Sequence, residues 1–310
     1  MVHLNIDALF VISTIFGLFS IILYIFIWVV MYKKWKSFSG PYYKLFLFTS
    51  ILYIICYINS WPILRLPNLV CKNCTFARIF EQPDFFGVTT MRFLYYYFTL
   101  MPAFIEVILA LNRYSAIVKN LTYLKLWNKA LIPSMVAIVI FPLPFAIPAY
   151  THPSFSRYND DADHYYYSSN ESKFQRAATL AGFEGLSSII VVTTGIATFR
   201  ALRKHTNVKH RAVEVKLFIH AMLNFVILLT ISTYGVFYAF FHSRWLEMHS
   251  FEFQAYLMDI ACFGSLYAML ACNSHVRKHL LNTIGLGRAW KISPFMTIDP
   301  RGHASTTMSP

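Results

Sequence analysis

A chain of 310 residues that is 57% hydrophobic and only 13% charged holds about half the charge of a soluble globular protein, where about 25% of residues are charged. With 18% aromatic residues and a mean hydropathy of +0.49, it carries too much apolar surface for water to be its only solvent and too much for a disordered chain; five cysteines are too sparse for a disulfide-stapled scaffold. A net charge of +13 would suggest nucleic acid on a soluble protein, so the positions of the 27 Lys and Arg decide how it is read.

Crossing a bilayer takes roughly 20 mostly apolar residues, and seven stretches qualify. The first, 8–31, has no charge and is followed by Lys33, Lys34 and Lys36, the pattern of an anchor retained in the membrane. The others are 45–64, 93–112, 130–150, 177–199, 217–241 and 253–272. None alternates in polarity as barrel strands do. The expectation is an all-α, seven-transmembrane helix bundle over residues 1–272, with a tail at 273–310 that is disordered from about Ser293. Within the tail, 274–290 is expected to form an amphipathic helix with Leu280, Leu281, Ile284 and Leu286 toward lipid.

Of the 27 cations, 19 fall between spans one and two, three and four, five and six, or after span seven. The positive-inside rule then places the N-terminus outside and the C-terminus in the cytoplasm, and the charge reads as a topological label with no nucleic-acid partner. Two sequons, at Asn73 and Asn170, fall in loops predicted to be outside, where glycosylation could occur; a third, at Asn120, falls inside. Cys71 and Cys74 form a C-x-x-C in the first outer loop, where a local disulfide could form, and zinc would lack two further ligands. No metal and no cofactor are expected.

Ionisable groups within spans are few: Glu106, Glu184, His220 and Asp259. Each costs about 2.5–3.5 kcal/mol to insert, which invites a functional reading. One reading makes them interhelical hydrogen-bond partners in the packed interior. The other has Glu184 and Asp259, in the outer half, line a polar ligand cavity with Asn59, Trp61, Arg92, Tyr96, Tyr234 and Tyr256. Span four carries Pro133, Pro142, Pro144 and Pro148, and span three Pro102, each removing a backbone donor. No catalytic or nucleotide-binding signature occurs, so no enzyme activity is expected.

Three stretches carry a family resemblance: Asn59-Ser60-Trp61 followed by Arg65-Leu66-Pro67; Leu111-Asn112-Arg113-Tyr114-Ser115-Ala116-Ile117 with Trp127 after it; and Asn273-Ser274-His275-Val276-Arg277. In this order they resemble the nematode seven-helix chemoreceptors of serpentine receptor class gamma. The resemblance implies an integral multi-pass protein of a sensory cell's plasma membrane, in contact with membrane lipid. It would bind a small-molecule chemical ligand and signal to a heterotrimeric G protein, with Asn112, Arg113 and Tyr114 at the coupling end. Compared with rhodopsin-like receptors, Asn112 replaces the acid before Arg113, no N-P-x-x-Y ends span seven, and the loop after span four has no cysteine. The alternative is a small transporter or ligand-gated channel with Glu106, Glu184 and Asp259 along an ion path. The missing repeat symmetry speaks against it.

Overall fold

The computed structural model describes residues 8–70, 77, 86–119, 122–152, 154–160, 164–169, 173–204, 222–223, 225–237, 240, 244–283 and 285. Its helices are α1 (Ala8–Lys33), α2 (Pro41–Ser60), α3 (Phe86–Val118), α4 (Tyr123–Ile140), α5 (Leu143–Thr151), α6 (Lys173–Lys204), α7 (Phe225–Phe237), α8 (Arg244–Cys272) and α9 (Ser274–Thr283). Six segments among the described residues are helical, long and apolar enough to cross a membrane, and the shorter apolar α7 lies within the predicted sixth span. The fold is an all-α bundle of the expected kind.

The bundle is apolar on its outside, and its largely apolar core holds a set of buried polar side chains. On α1, Val11, Ile12, Ile15, Leu18, Phe19 and Ile22 are exposed, while Ser13, Ser20, Tyr24, Ile27 and Met31 follow the three-to-four-residue helical period on the buried face. In water, such an outer face would be a large aggregation surface. In hydrocarbon it is the solvated face, so helix association must come from packing and interhelical hydrogen bonds, each worth about 0.6 kcal/mol on average. The interior supplies them. Trp28 Nε1 donates to Ser50 Oγ at 2.7 Å, Tyr24 to the Cys262 carbonyl at 3.0 Å, Tyr97 to the Val139 carbonyl at 2.7 Å, and Ser20 is hydrogen-bonded to Tyr267 at 2.8 Å. Close packing adds to this at Gly17, where a Cβ would overlap the Tyr57 hydroxyl.

Prolines shape three elements. Pro41 occupies the first turn of α2, where its missing N–H costs nothing. Pro62 lies in a π-helical turn, Trp61–Arg65, that extends α2 and closes with Leu66 N–H on the Trp61 carbonyl at 2.9 Å. The wider turn carries Arg65 into the bundle. In span four, Pro142 and Pro144 withhold two consecutive-turn donors, so the helix stops at Ile140 and restarts as α5, whereas Pro133 and Pro148 are absorbed within α4 and α5 and Pro102 within α3.

Several sequence expectations are revised. Arg92 and Trp127, which fall just outside the predicted spans 93–112 and 130–150, lie in α3 and α4 and are buried, because both helices run past their apolar stretches. The loop after α5 contains an antiparallel hairpin, β1 (Ser154–Asn159) and β2 (His164–Ser169), with Tyr158 opposite Tyr165. Tyr165 is buried against Val70 and Ala77. In the tail, α9 ends at Thr283. Its Val276 and Leu280 join the bundle core, so Leu280 packs inward and does not face lipid. Residues 217–221 of the predicted sixth span, His220 among them, lie outside the described residues, as do Cys71, Asn73, Cys74, Asn120, Asn170 and the tail from 286.

Candidate functional site

At the end of the bundle predicted to be outer, the π turn and α8 bring a cation and an acid together. Arg65 and Asp259 form an ion pair, with Arg65 2% exposed and Asp259 3% exposed. Arg65 also donates to Ser60 Oγ at 2.8 Å and to the Ala255 carbonyl at 3.3 Å, and its guanidinium lies 5.1 Å from the Tyr57 ring centre and 5.5 Å from that of Trp61. The Asn-x-Trp-x-x-x-Arg stretch is thereby explained: its aromatic residue and its Arg form one stacked unit. Asn59 is half-buried, with its Nδ2 lacking a hydrogen-bond partner. Asp259, expected to line a ligand cavity, is engaged by Arg65, and its Oδ2 accepts no hydrogen bond among the described residues.

A second group gathers between α3, α6, α7 and α8. Tyr95 donates to Gln254 Oε1 at 3.2 Å and lies within electrostatic reach of Tyr234 and Glu184. Glu184 is 3% exposed. One helical turn further, Ser188 is equally buried, and its hydroxyl has no hydrogen-bond partner among the described residues. Tyr234 is half-buried and packs on Phe253 with ring centres 4.8 Å apart. Tyr256 is half-buried on α8. Nearer the hairpin, Arg92 donates to Ser154 Oγ at 3.0 Å and lies 5.4 Å from the Tyr96 ring centre. Of the residues predicted to line a cavity, Glu184 and Tyr234 are thus brought to one group, Arg92 and Tyr96 to a neighbouring pair, and Asp259 to the ion pair with Arg65.

Glu106, deeper in α3, accepts from Tyr53 at 2.9 Å. It therefore takes the interhelical bonding role that one reading of the sequence gave it.

The opposite end carries a different network. Arg113 donates to the Tyr42 hydroxyl at 2.9 Å and lies 5.2 Å from the same ring centre. Tyr123 donates to Asn112 Oδ1 at 3.3 Å, and Trp127 Nε1 donates to Ser115 Oγ. Tyr114 is half-buried beside them. Asn273 donates to Tyr43 at 3.1 Å and caps α9 by accepting from Val276 N–H at 3.1 Å, while Arg277 donates to the Leu270 and Ala271 carbonyls at the end of α8. The closing Asn-Ser-His-Val-Arg stretch is therefore a helix corner, with one residue capping each helix.

Arg65, Tyr95, Gln254 and Tyr42 were absent from the predicted site. Arg65 had a signal: a cation directly after an apolar run needs an acid if it is buried, and Asp259 is the acid at matching depth. Tyr42 and Tyr95 had none, because interfacial tyrosines are common in any span.

Comparison with known proteins adds to this geometry. The sequence model described as Srg family chemoreceptor matches residues 10–280. Serpentine receptor class gamma-31 of Caenorhabditis elegans is 21% identical over 226 residues, which cover 71% of this chain and 72% of that protein.

Proposed function

The chain belongs to the Srg family of chemoreceptors, an integral multi-pass membrane protein and a chemosensory receptor by that membership, and from this premise we propose how it signals. The N-terminus and the Arg65 end face outside; the Arg113 end and the tail face the cytoplasm, as the placement of 19 of the 27 cations argues. The site faces the outside of the cell at the plasma membrane. A small-molecule ligand enters at the Arg65 end and engages the layer that holds Asn59, Arg92, Tyr96, Glu184, Tyr234, Tyr256 and Asp259. It shifts the packing of α6, α7 and α8 against α3, and Asn112, Arg113 and Tyr114 present the difference to a heterotrimeric G protein.

The observation that carries this reading is that the two ends hold separate polar networks joined by α3, whose Arg92 and Tyr95 reach one and whose Arg113 reaches the other. A ligand that binds the two packings with different affinity can therefore be felt at the far end. The test is nucleotide exchange on a panel of Gα subunits by receptor in reconstituted vesicles, with and without a broad chemical panel. Exchange that rises only with ligand supports the proposal, and exchange that never responds with any Gα removes the coupling step.

A further inference from the structure

The layer just described contains one buried acid with no counter-charge among the described residues. Glu184 is 3% exposed and has no hydrogen-bond or ion-pair partner among the described residues, whereas Asp259 is engaged by Arg65 and Glu106 by Tyr53. An isolated carboxylate in a low-dielectric interior is costly, and the usual remedies are a cation or a set of hydrogen-bond donors. The surroundings are those a cation favours. Tyr95 lies within electrostatic reach of both Glu184 and Tyr234, Tyr234 continues into Phe253 at 4.8 Å, and the neighbouring Tyr96 ring stands 5.9 Å from that of Tyr95, edge to face. Ring faces attract ammonium groups by about 0.5–2 kcal/mol each, most when water is excluded. Ser188, one turn along the same helix, offers a buried hydroxyl that is also without a partner among the described residues.

We infer that the Glu184 carboxylate, with Ser188 and the Tyr95 and Tyr234 rings, forms the recognition site for the protonated amine of a small cationic ligand. The ammonium supplies the missing counter-charge, Ser188 accepts one of its hydrogens, and the tyrosine rings bracket the carbon skeleton. The inference rests on the ligand site proposed above and adds the chemical class that site takes. The Arg65–Asp259 pair does not compete, because its charges already balance.

The test uses the purified full-length receptor in detergent, so that it is independent of any G protein. Thermal stability is titrated with 2-phenylethylamine, its ring-hydroxylated relatives and short alkylamines, beside 2-phenylethanol and phenylacetate as neutral and anionic counterparts. The expected result is saturable stabilisation by at least one amine and none by its counterparts. Glu184→Gln should weaken it on the order of 30-fold or more, as expected when one member of a buried charge pair is lost. Ser188→Ala should weaken it severalfold while leaving the carboxylate in place, and both variants should unfold in one transition without ligand. If no amine stabilises the receptor, or if amines stabilise Glu184→Gln equally well, the inference is overturned. A non-amine that drives nucleotide exchange equally in wild type and Glu184→Gln overturns it too, yet leaves the receptor reading intact. Amine binding with no exchange on any Gα supports this site and removes the coupling step instead.

Discussion

Arg113 is held by Tyr42 in two ways at once, through a 2.9 Å hydrogen bond from its guanidinium to the hydroxyl and through the face of the same ring, 5.2 Å away. The partner is neutral, comes from the start of α2, and stands where an acid directly before Arg113 would otherwise compete; that position is Asn112, whose Oδ1 accepts from Tyr123. The contact ties α3 to α2 with an interaction that a single hydroxyl controls.

Removing that hydroxyl is the most economical test of the Arg113 network. Tyr42→Phe keeps the ring and loses the hydrogen bond, and a bond to a charged donor is worth about 1.5–3 kcal/mol. If the bond holds the resting packing, ligand-independent nucleotide exchange should rise on the order of tenfold, with little change in thermal stability. Unchanged basal exchange in a well-folded Tyr42→Phe receptor would mean that the contact is structural only.

The Arg65–Asp259 pair makes a stability prediction of opposite character. Both groups are buried, so deleting one leaves the other uncompensated, a cost of about 3–5 kcal/mol, whereas replacing both by apolar residues is often close to neutral. Arg65→Met and Asp259→Leu should each lower the unfolding temperature markedly, and the double variant should recover most of the loss. Thermal unfolding of the four proteins measures the coupling. Additive losses in the double variant would show that the two side chains contribute independently.

How far these features were legible in the sequence depends on the distance over which each is decided. The spans were readable because hydrocarbon demands a long apolar run locally, and Pro142 and Pro144 announced a disturbed span four without fixing where it would break. Arg65 and Asp259 are separated by 194 positions, and their pairing depends on a π turn that rotates one residue inward; nothing local to Arg65 encodes its partner. Arg92 and Trp127 fell outside the predicted spans because helices outrun their apolar stretches when a buried partner, here Ser154 or Ser115, satisfies the polar end. The hairpin after α5 was missed for a related reason: its Tyr-rich strands in a polar loop carry no clean alternation to mark them.

Gly17 predicts a packing defect with a built-in control. A Cβ there would overlap the Tyr57 ring, itself confined between α1, Trp61, Arg65 and Phe263, so the ring cannot simply move away. Overpacking of this kind costs about 1–3 kcal/mol. Gly17→Ala should therefore lower the unfolding temperature. Gly182→Ala, whose new methyl would meet nothing within 4 Å, should leave it level or raise it slightly. Equal stability of the two variants would contradict the packing described for α1.

The hairpin offers the last prediction, because its attachment to the bundle is narrow. Ser154 is fixed twice at the top of α3, by Arg92 donating to its hydroxyl and by its own N–H donating to Thr89 Oγ1 at 3.2 Å. The far side is held by Tyr165, buried against Val70 and Ala77 and stacked edge to face on Tyr158 across the ladder at 5.1 Å. Ser154→Ala removes one of the two bonds and leaves Arg92 over the Tyr96 ring; Thr89→Ala removes the other. Each loss should be worth about 0.5–1.5 kcal/mol, more for the bond from the charged Arg92. The effect should be local, since Tyr165 still anchors β2. Hydrogen exchange should quicken in Ser154–Asn159 in both variants, more in Ser154→Ala, while protection within α3 and α8 stays as in the wild type. If the hairpin is part of the ligand's entry route, both variants should also speed ligand association and dissociation together, leaving affinity nearly unchanged. Faster exchange spread through α3 would show instead that the hairpin supports the bundle itself.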